Sequence, residues 1–160
     1  MAVVVVAEVD ADLRQLLVRG FVRAGYDVIA AADGPTALAA ARHPGVRAVV
    51  VNACLPVLSG AQSCRRLRSE AYDRDLFIVA YSADIRDTVR DSMYAAGADL
   101  YLTQPFRLHE LTGPVLATIP PMESTVDARV APWLAADLAG RAALGYALDT
   151  AVPTRTEATA

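Results

Sequence analysis

Apolar residues gather in five short runs, Val3 to Ala7, Asp27 to Ala32, Arg47 to Asn52, Leu76 to Tyr81 and Asp99 to Thr103, and several of these run without alternation. A strand with one wet face alternates in period two, whereas a strand covered on both faces reads as a continuous apolar stretch. The runs therefore predict buried parallel strands, and the intervals between them leave room for crossover helices. Helix signals fill those intervals. Asp10 precedes Leu13, Leu16, Leu17 and Phe21; Asp33 precedes Gly34, Pro35 and an alanine-rich stretch; Ser59 precedes Cys64 and Leu67; Asp84 precedes Val89 and Met93, with a stop at Gly97. A fifth helix is expected from near Arg107. Thr112, Gly113 and Pro114 are expected to break it, because an interior proline costs about 3 kcal/mol. The pattern is that of an α/β, doubly wound five-stranded parallel sheet, a fold that places ligands at the carboxyl ends of its strands.

After Ile119 the pattern changes. Pro120 and Pro121 interrupt the chain, a polar stretch runs from Glu123 to Arg129, and Pro132 opens an amphipathic pattern through Trp133, Leu134, Leu138, Leu144 and Leu148. The reading is one domain over 1–119, followed by a tail over 120–160: a proline-containing linker, a helix at 132–150 and a disordered end. The apolar stripe of that helix must bury itself on this domain, on a second copy or on a partner.

Composition narrows the function classes. With 160 residues, 54% apolar and 21% charged, the chain can build a sizeable core. A net charge of -3 argues against a free-standing nucleic-acid binder, which needs clustered positive charge. Arg65, Arg66 and Arg68 form the one dense basic cluster, read as a solvated face. No apolar run reaches the roughly 18 to 20 residues that span a bilayer, and the opening residues carry no basic leader region, so a cytoplasmic protein with reduced thiols is expected. Cys54 and Cys64 fit no metal-ligand spacing, and His43 and His109 stand alone.

The ordered set of motifs resembles the receiver domain of two-component response regulators, of the chemotaxis type. The stretches that carry it are VVAEVDADLR from Val5, DGPTAL from Asp33, VVVNACLPVLSG from Val49, IVAYSA from Ile78 and AGADLYLTQPF from Ala96. Together they cover about residues 3 to 119. The resemblance implies a flavodoxin-like fold with strand order 2-1-3-4-5. It also implies a pocket in which an Asp after strand three attacks a phosphohistidine, an acidic pair after strand one and a backbone carbonyl hold Mg²⁺, a Ser or Thr after strand four bonds the phosphoryl group, and a Lys after strand five pairs with it. All of these parts manage the negative charge of a transferring phosphoryl group.

At three of those positions this sequence departs from the pattern. Asn52 occupies the phosphoacceptor position, and a carboxamide is no nucleophile toward phosphorus. Val9 replaces one member of the acidic pair and leaves Glu8, while Gln104 stands in place of the Lys. Ser82 and the Cys54 carbonyl position are retained, and Tyr101 matches the family's switch aromatic. One carboxylate and no ammonium remain where the family has three and one. Since Mg²⁺ demands near-octahedral oxygen ligation, its binding is expected to be lost or weak, leaving no cofactor and no catalysis. In this near-neutral pocket Asn52, Gln104 and Ser82 are expected to bond one another. The resulting expectation is a pseudo-receiver that acts through another signalling protein or a second copy of itself, with no nucleic-acid or membrane partner. Two alternatives are a receptor for a small-molecule ligand in the polar cleft, and weak Mg²⁺-dependent phosphorylation through Glu8 or Asp10.

Overall fold

The protein is described from a computed structural model over residues 2–70 and 75–121, all within one compact unit, Met1–Thr125. The tail helix expected at 132–150 lies outside the described residues. Five βα units follow in order: β1 (Val3–Ala7), α1 (Ala11–Arg23), β2 (Asp27–Ala31), α2 (Gly34–Ala41), β3 (Val46–Asn52), α3 (Gly60–Ser69), β4 (Phe77–Ser82), α4 (Asp87–Ala95), β5 (Leu100–Thr103) and α5 (Leu108–Thr118). All strand pairs are parallel and the sheet order is β2-β1-β3-β4-β5. This is the doubly wound order that the resemblance implies.

The continuous apolar strands are buried on both sides because helices cover both sides. Alternate residues of the strands, Val3, Val5 and Ala7 of β1 and Val49 and Val51 of β3, join Ala37, Leu38, Cys64, Leu67 and Met93 in the cluster beneath α2, α3 and α4. The intervening residues, Val4, Val6 and Val50, are equally buried on the opposite face, where α1 and α5 pack together and supply Leu17, Phe21, Leu111 and Val115. At about 25 cal/mol per Å² of apolar surface removed from water, these two layers are the main source of the fold's stability.

Local signals set most helix starts. The Asp10 carboxylate accepts from the backbone N–H of Asp12 and Leu13, the Asp33 carboxylate from Thr36, and Ser59 forms a reciprocal capping box with Gln62. The expected start of α4 at Asp84 is corrected. The helix begins three residues later, at Asp87, with Arg86 as its cap residue and no side-chain cap bond. Asp84 instead accepts from the backbone N–H and the guanidinium of Arg86, closing a local turn before the helix.

The expected break in α5 is also corrected, since the helix runs through Pro114 without interruption. The residue before a proline normally resists helical backbone because its Cβ meets the ring. Here that residue is Gly113, which has no Cβ. Buried Leu111, Thr112 and Val115 hold the helix on the sheet across the missing N–H. The Thr112 and Thr118 hydroxyls donate to the carbonyls of Leu108 and Pro114 at 3.2 and 2.9 Å.

Candidate functional site

Parallel register builds the site. Ala7 of β1 lies beside Val51 of β3, which brings the next residues, Glu8 and Asn52, together, and Asn52 in turn lies beside Tyr81 of β4. Three adjacent strands thus place a carboxylate, a carboxamide and a phenol in one row at the carboxyl edge of the sheet. Glu8 is 1% exposed and Tyr81 fully buried. Burying a carboxylate is costly unless its oxygens are bonded, and these are. Oε1 accepts from the Asp10 backbone N–H at 2.8 Å; Oε2 accepts from Asn52 Nδ2 at 2.8 Å and from the Tyr81 hydroxyl. No cation pairs with the carboxylate among the described residues. Arg14 donates to the main-chain carbonyls of Glu8 and Val9 at 2.6 and 3.1 Å.

The orientation of Asn52 is fixed by its partners. Its Oδ1 accepts from the Cys54 backbone N–H at 2.9 Å while its Nδ2 faces Glu8. A backbone N–H can only donate and a carboxylate oxygen accepts, so neither end can be exchanged. Gly60, the first residue of α3, lets the helix close over this point: a Cβ there would lie 2.5 Å from the Asn52 carbonyl oxygen. Burial, followed by the bond to Glu8, holds the Tyr81 phenol well above the ordinary phenol range, so it remains a donor. Its ring is held edge-on against Phe106, with centroids 5.3 Å apart.

The expected mutual bonding of Asn52, Gln104 and Ser82 does not occur. Asn52 turns to Glu8 and Cys54. Ser82 faces the other side of the sheet, where its hydroxyl accepts from the Asp84 N–H at 3.0 Å. Gln104 meets Ser82 only through the backbone, its N–H donating to the Ser82 carbonyl at 2.8 Å, and it precedes a cis peptide bond to Pro105. The strand period explains the difference: Asn52 and Ser82 emerge on opposite faces, so their side chains diverge. Tyr101 is 9% exposed, its hydroxyl donates to the Asp84 carbonyl at 3.4 Å, and burial raises its pKa. Tyr94 of α4 stands beside it, accepting the Tyr101 N–H at 3.2 Å.

The loops around the row carry exposed aliphatic side chains. Val9 is 50% exposed, and Val57 and Ile85 are each 82% exposed, on the loops after β1, β3 and β4. Val57 also has a φ of 67°, a left-handed backbone that a β-branched residue adopts only under strain. Cys54 is an exposed free thiol and Cys64 is buried in the core, its pKa pushed up to about 12 by burial. Of the arginine cluster, Arg65 and Arg66 are exposed as expected. Arg68 is not merely solvated, since its guanidinium binds the carbonyls of Leu76 and Gly97 and the carboxylate of Asp99. Among the described residues no group of three or more His, Cys, Asp or Glu side chains is placed to hold a metal, and no helix is long and apolar enough to cross a membrane.

Tyr81 was absent from the residues that the sequence singles out. Its signal is present nonetheless: a phenol inside a strand that is otherwise wholly apolar up to Ser82 must find a buried acceptor. Finding that acceptor requires the β3–β4 register, which sequence pattern alone does not supply.

Comparison with known proteins agrees with this architecture. Residues 4–115 match the response regulator receiver domain family. The chain is 37% identical over 118 residues to the transcriptional regulatory protein PrrA of Mycobacterium tuberculosis, covering 72% of this chain and 49% of that protein. It spans about half the length of the curated relatives it matches. Among solved structures, the chemotaxis response regulator CheY4 of Vibrio cholerae superposes with a TM-score of 0.68 at 24% identity, over 74% of this chain and 99% of that one. The receiver domain of the sensor histidine kinase PA1611 of Pseudomonas aeruginosa, solved with a magnesium ion coordinated in its active-site cleft, gives 0.66 at 26% identity, over 72% and 95%.

Proposed function

The chain belongs to the response regulator receiver family, and we propose that within two-component signalling it is a pseudo-receiver, one that works by protein–protein contact without being phosphorylated. The observation that carries this reading is the state of Asn52. It stands at the end of β3, where the resemblance places the phosphoacceptor, and its amide is committed at both ends, to Glu8 and to the Cys54 N–H. A carboxamide oxygen that carries no full charge and already accepts a hydrogen bond has no means to attack phosphorus.

The residues present also do not fit Mg²⁺. The ion takes near-octahedral oxygen ligands at about 2.0 to 2.1 Å. Glu8 is the one carboxylate of the row and it already accepts three donors; Val9 offers no ligand, and Asn52 presents N–H to the carboxylate. The surrogate nucleophiles are similarly engaged. Glu8 is buried and accepts three donors, and the Asp10 carboxylate caps α1 by accepting from Asp12 and Leu13 at 3.0 and 2.8 Å.

Val9, Val57 and Ile85 support the contact half of the proposal. Three loops at one edge of the sheet present aliphatic side chains to solvent, and at Val9 the resemblance implies a carboxylate instead. A partner that buries them gains the usual return for apolar area removed from water. That partner is a signalling protein or a second copy of this chain.

The test is thermal melting of the purified protein with and without Mg²⁺ and beryllofluoride. A ligand at about 100 times its Kd stabilises a fold by roughly 2.7 kcal/mol. For a domain of this size each kcal/mol moves the midpoint by about 2 to 4 °C. The expected result is no shift, and a shift of several degrees overturns the reading.

A further inference from the structure

We infer that Tyr81 is the residue that closes this edge of the sheet to divalent cations, its hydroxyl occupying the lone pair of Glu8 that a metal ion would take. This rests on the reading of the chain as a pseudo-receiver and adds a cause for it that the changes at Val9, Asn52 and Gln104 do not contain. Those changes remove charge around the site. Tyr81 acts on the carboxylate that remains.

A carboxylate has about four lone-pair directions, two on each oxygen. On Oε2 both are taken, by Asn52 Nδ2 and by the Tyr81 hydroxyl; on Oε1 one is taken, by the Asp10 N–H. Two of these donors are common to any chain with this loop and an amide at position 52. The third depends on a phenol in the middle of an apolar strand, fixed by its register with Asn52 and by its packing on Phe106. The phenol cannot swing aside, because its ring is fully buried. An arriving cation must therefore break a bond before it can reach Oε2, the oxygen that faces Asn52 and Tyr81. The consequence is that restoring the carboxylate at position 52 is not enough. In Asn52→Asp the Tyr81 hydroxyl still has Glu8 as acceptor, and Glu8 keeps that neutral donor beside the restored carboxylate.

Mn²⁺ serves as the probe, because its binding is read directly from electron paramagnetic resonance or water-proton relaxation, with Mg²⁺ as competitor. The full chain is compared with Asn52→Asp and with Asn52→Asp/Tyr81→Phe. The double variant is expected to bind Mn²⁺ at least about tenfold more tightly than Asn52→Asp, the factor that corresponds to one net hydrogen bond. Equal affinities, or no binding by either variant, overturn the role of Tyr81 and leave the pseudo-receiver reading standing. Binding by the unaltered chain as tight as that of the double variant overturns both. Should the double variant fail to fold, the unaltered chain supplies a second measurement. Its Tyr81 hydroxyl proton should give a slowly exchanging NMR resonance that a large excess of Mg²⁺ leaves in place, and loss of that resonance on adding Mg²⁺ overturns the inference.

Discussion

Two carboxylates at opposite ends of the sheet are satisfied in opposite ways. Glu8, at the carboxyl edge, is 1% exposed and held by a phenol, an amide and a backbone N–H. Asp99, just before β5 at the amino edge, is 40% exposed in its side chain and meets the Arg68 guanidinium at 2.6 Å and the Ile78 N–H at 2.7 Å. Gly97 allows the latter arrangement, since a Cβ there would lie 2.7 Å from the Arg68 stem. The difference lies in what each partner requires. A guanidinium on a long stem reaches its acceptor from the surface and is worth little in water. Short neutral donors have no such reach and work only where strand register delivers them, but there they act without solvent competition.

The comparison is broken most directly at Glu8. Glu8→Ala leaves the Asn52 amide, the Tyr81 hydroxyl and the Asp10 N–H without their acceptor, and is expected to cost about 3 kcal/mol or more in urea unfolding. A loss no larger than that of Asp99→Ala would mean the two ends are equivalent. Next in size is Tyr81→Phe, which keeps the ring on Phe106 and removes one buried donor. Its expected cost is about 1 to 3 kcal/mol, unchanged by salt. Arg68→Met, which keeps the stem, is expected to cost about 1 kcal/mol, and the difference from the unaltered protein should shrink as ionic strength rises. Parallel salt dependence of these two variants would erase the distinction.

The smallest effect concerns a third carboxylate. The side-chain bond from Arg86, with the Arg86 backbone N–H, lowers Asp84 from 3.8 to about 2. A lowered folded-state pKa favours the ionised form, so the contribution is fully present above about pH 4 and is lost as pH falls through about 2. Stability measured against pH should therefore fall across that window in the unaltered protein and less so in Asp84→Asn. Identical slopes would show that the Arg86 pair contributes nothing.

What could be read in the sequence divides along the same line. The five strands and the caps at Asp10, Asp33 and Ser59 were legible because apolar period and capping are local, set by residues a few positions apart. The positions of Glu8, Asn52, Ser82 and Gln104 at strand ends were legible from the motif order. Their bonding was not. Tyr81 lies 73 residues from Glu8, and only register across β1, β3 and β4 joins them. Asp84 misled because an aspartate before an apolar pattern is a valid cap signal, and only the neighbouring Arg86 diverts it. Pro114 misled because part of its effect depends on the residue before it, and Gly113 has no Cβ to meet the ring.

The two thiols give this protein a built-in reporter position. Cys64 is sealed in the core with its pKa pushed up to about 12, whereas Cys54 is exposed one residue beyond Ala53, in the loop whose N–H holds Asn52. Thiolate is the reactive form, so a maleimide dye or spin label goes to Cys54 in the folded protein, with no lysine in the chain to divert it. The unaltered molecule can thus carry a fluorophore beside Asn52 and the exposed Val57, ready to register a docking partner by a change in colour or mobility.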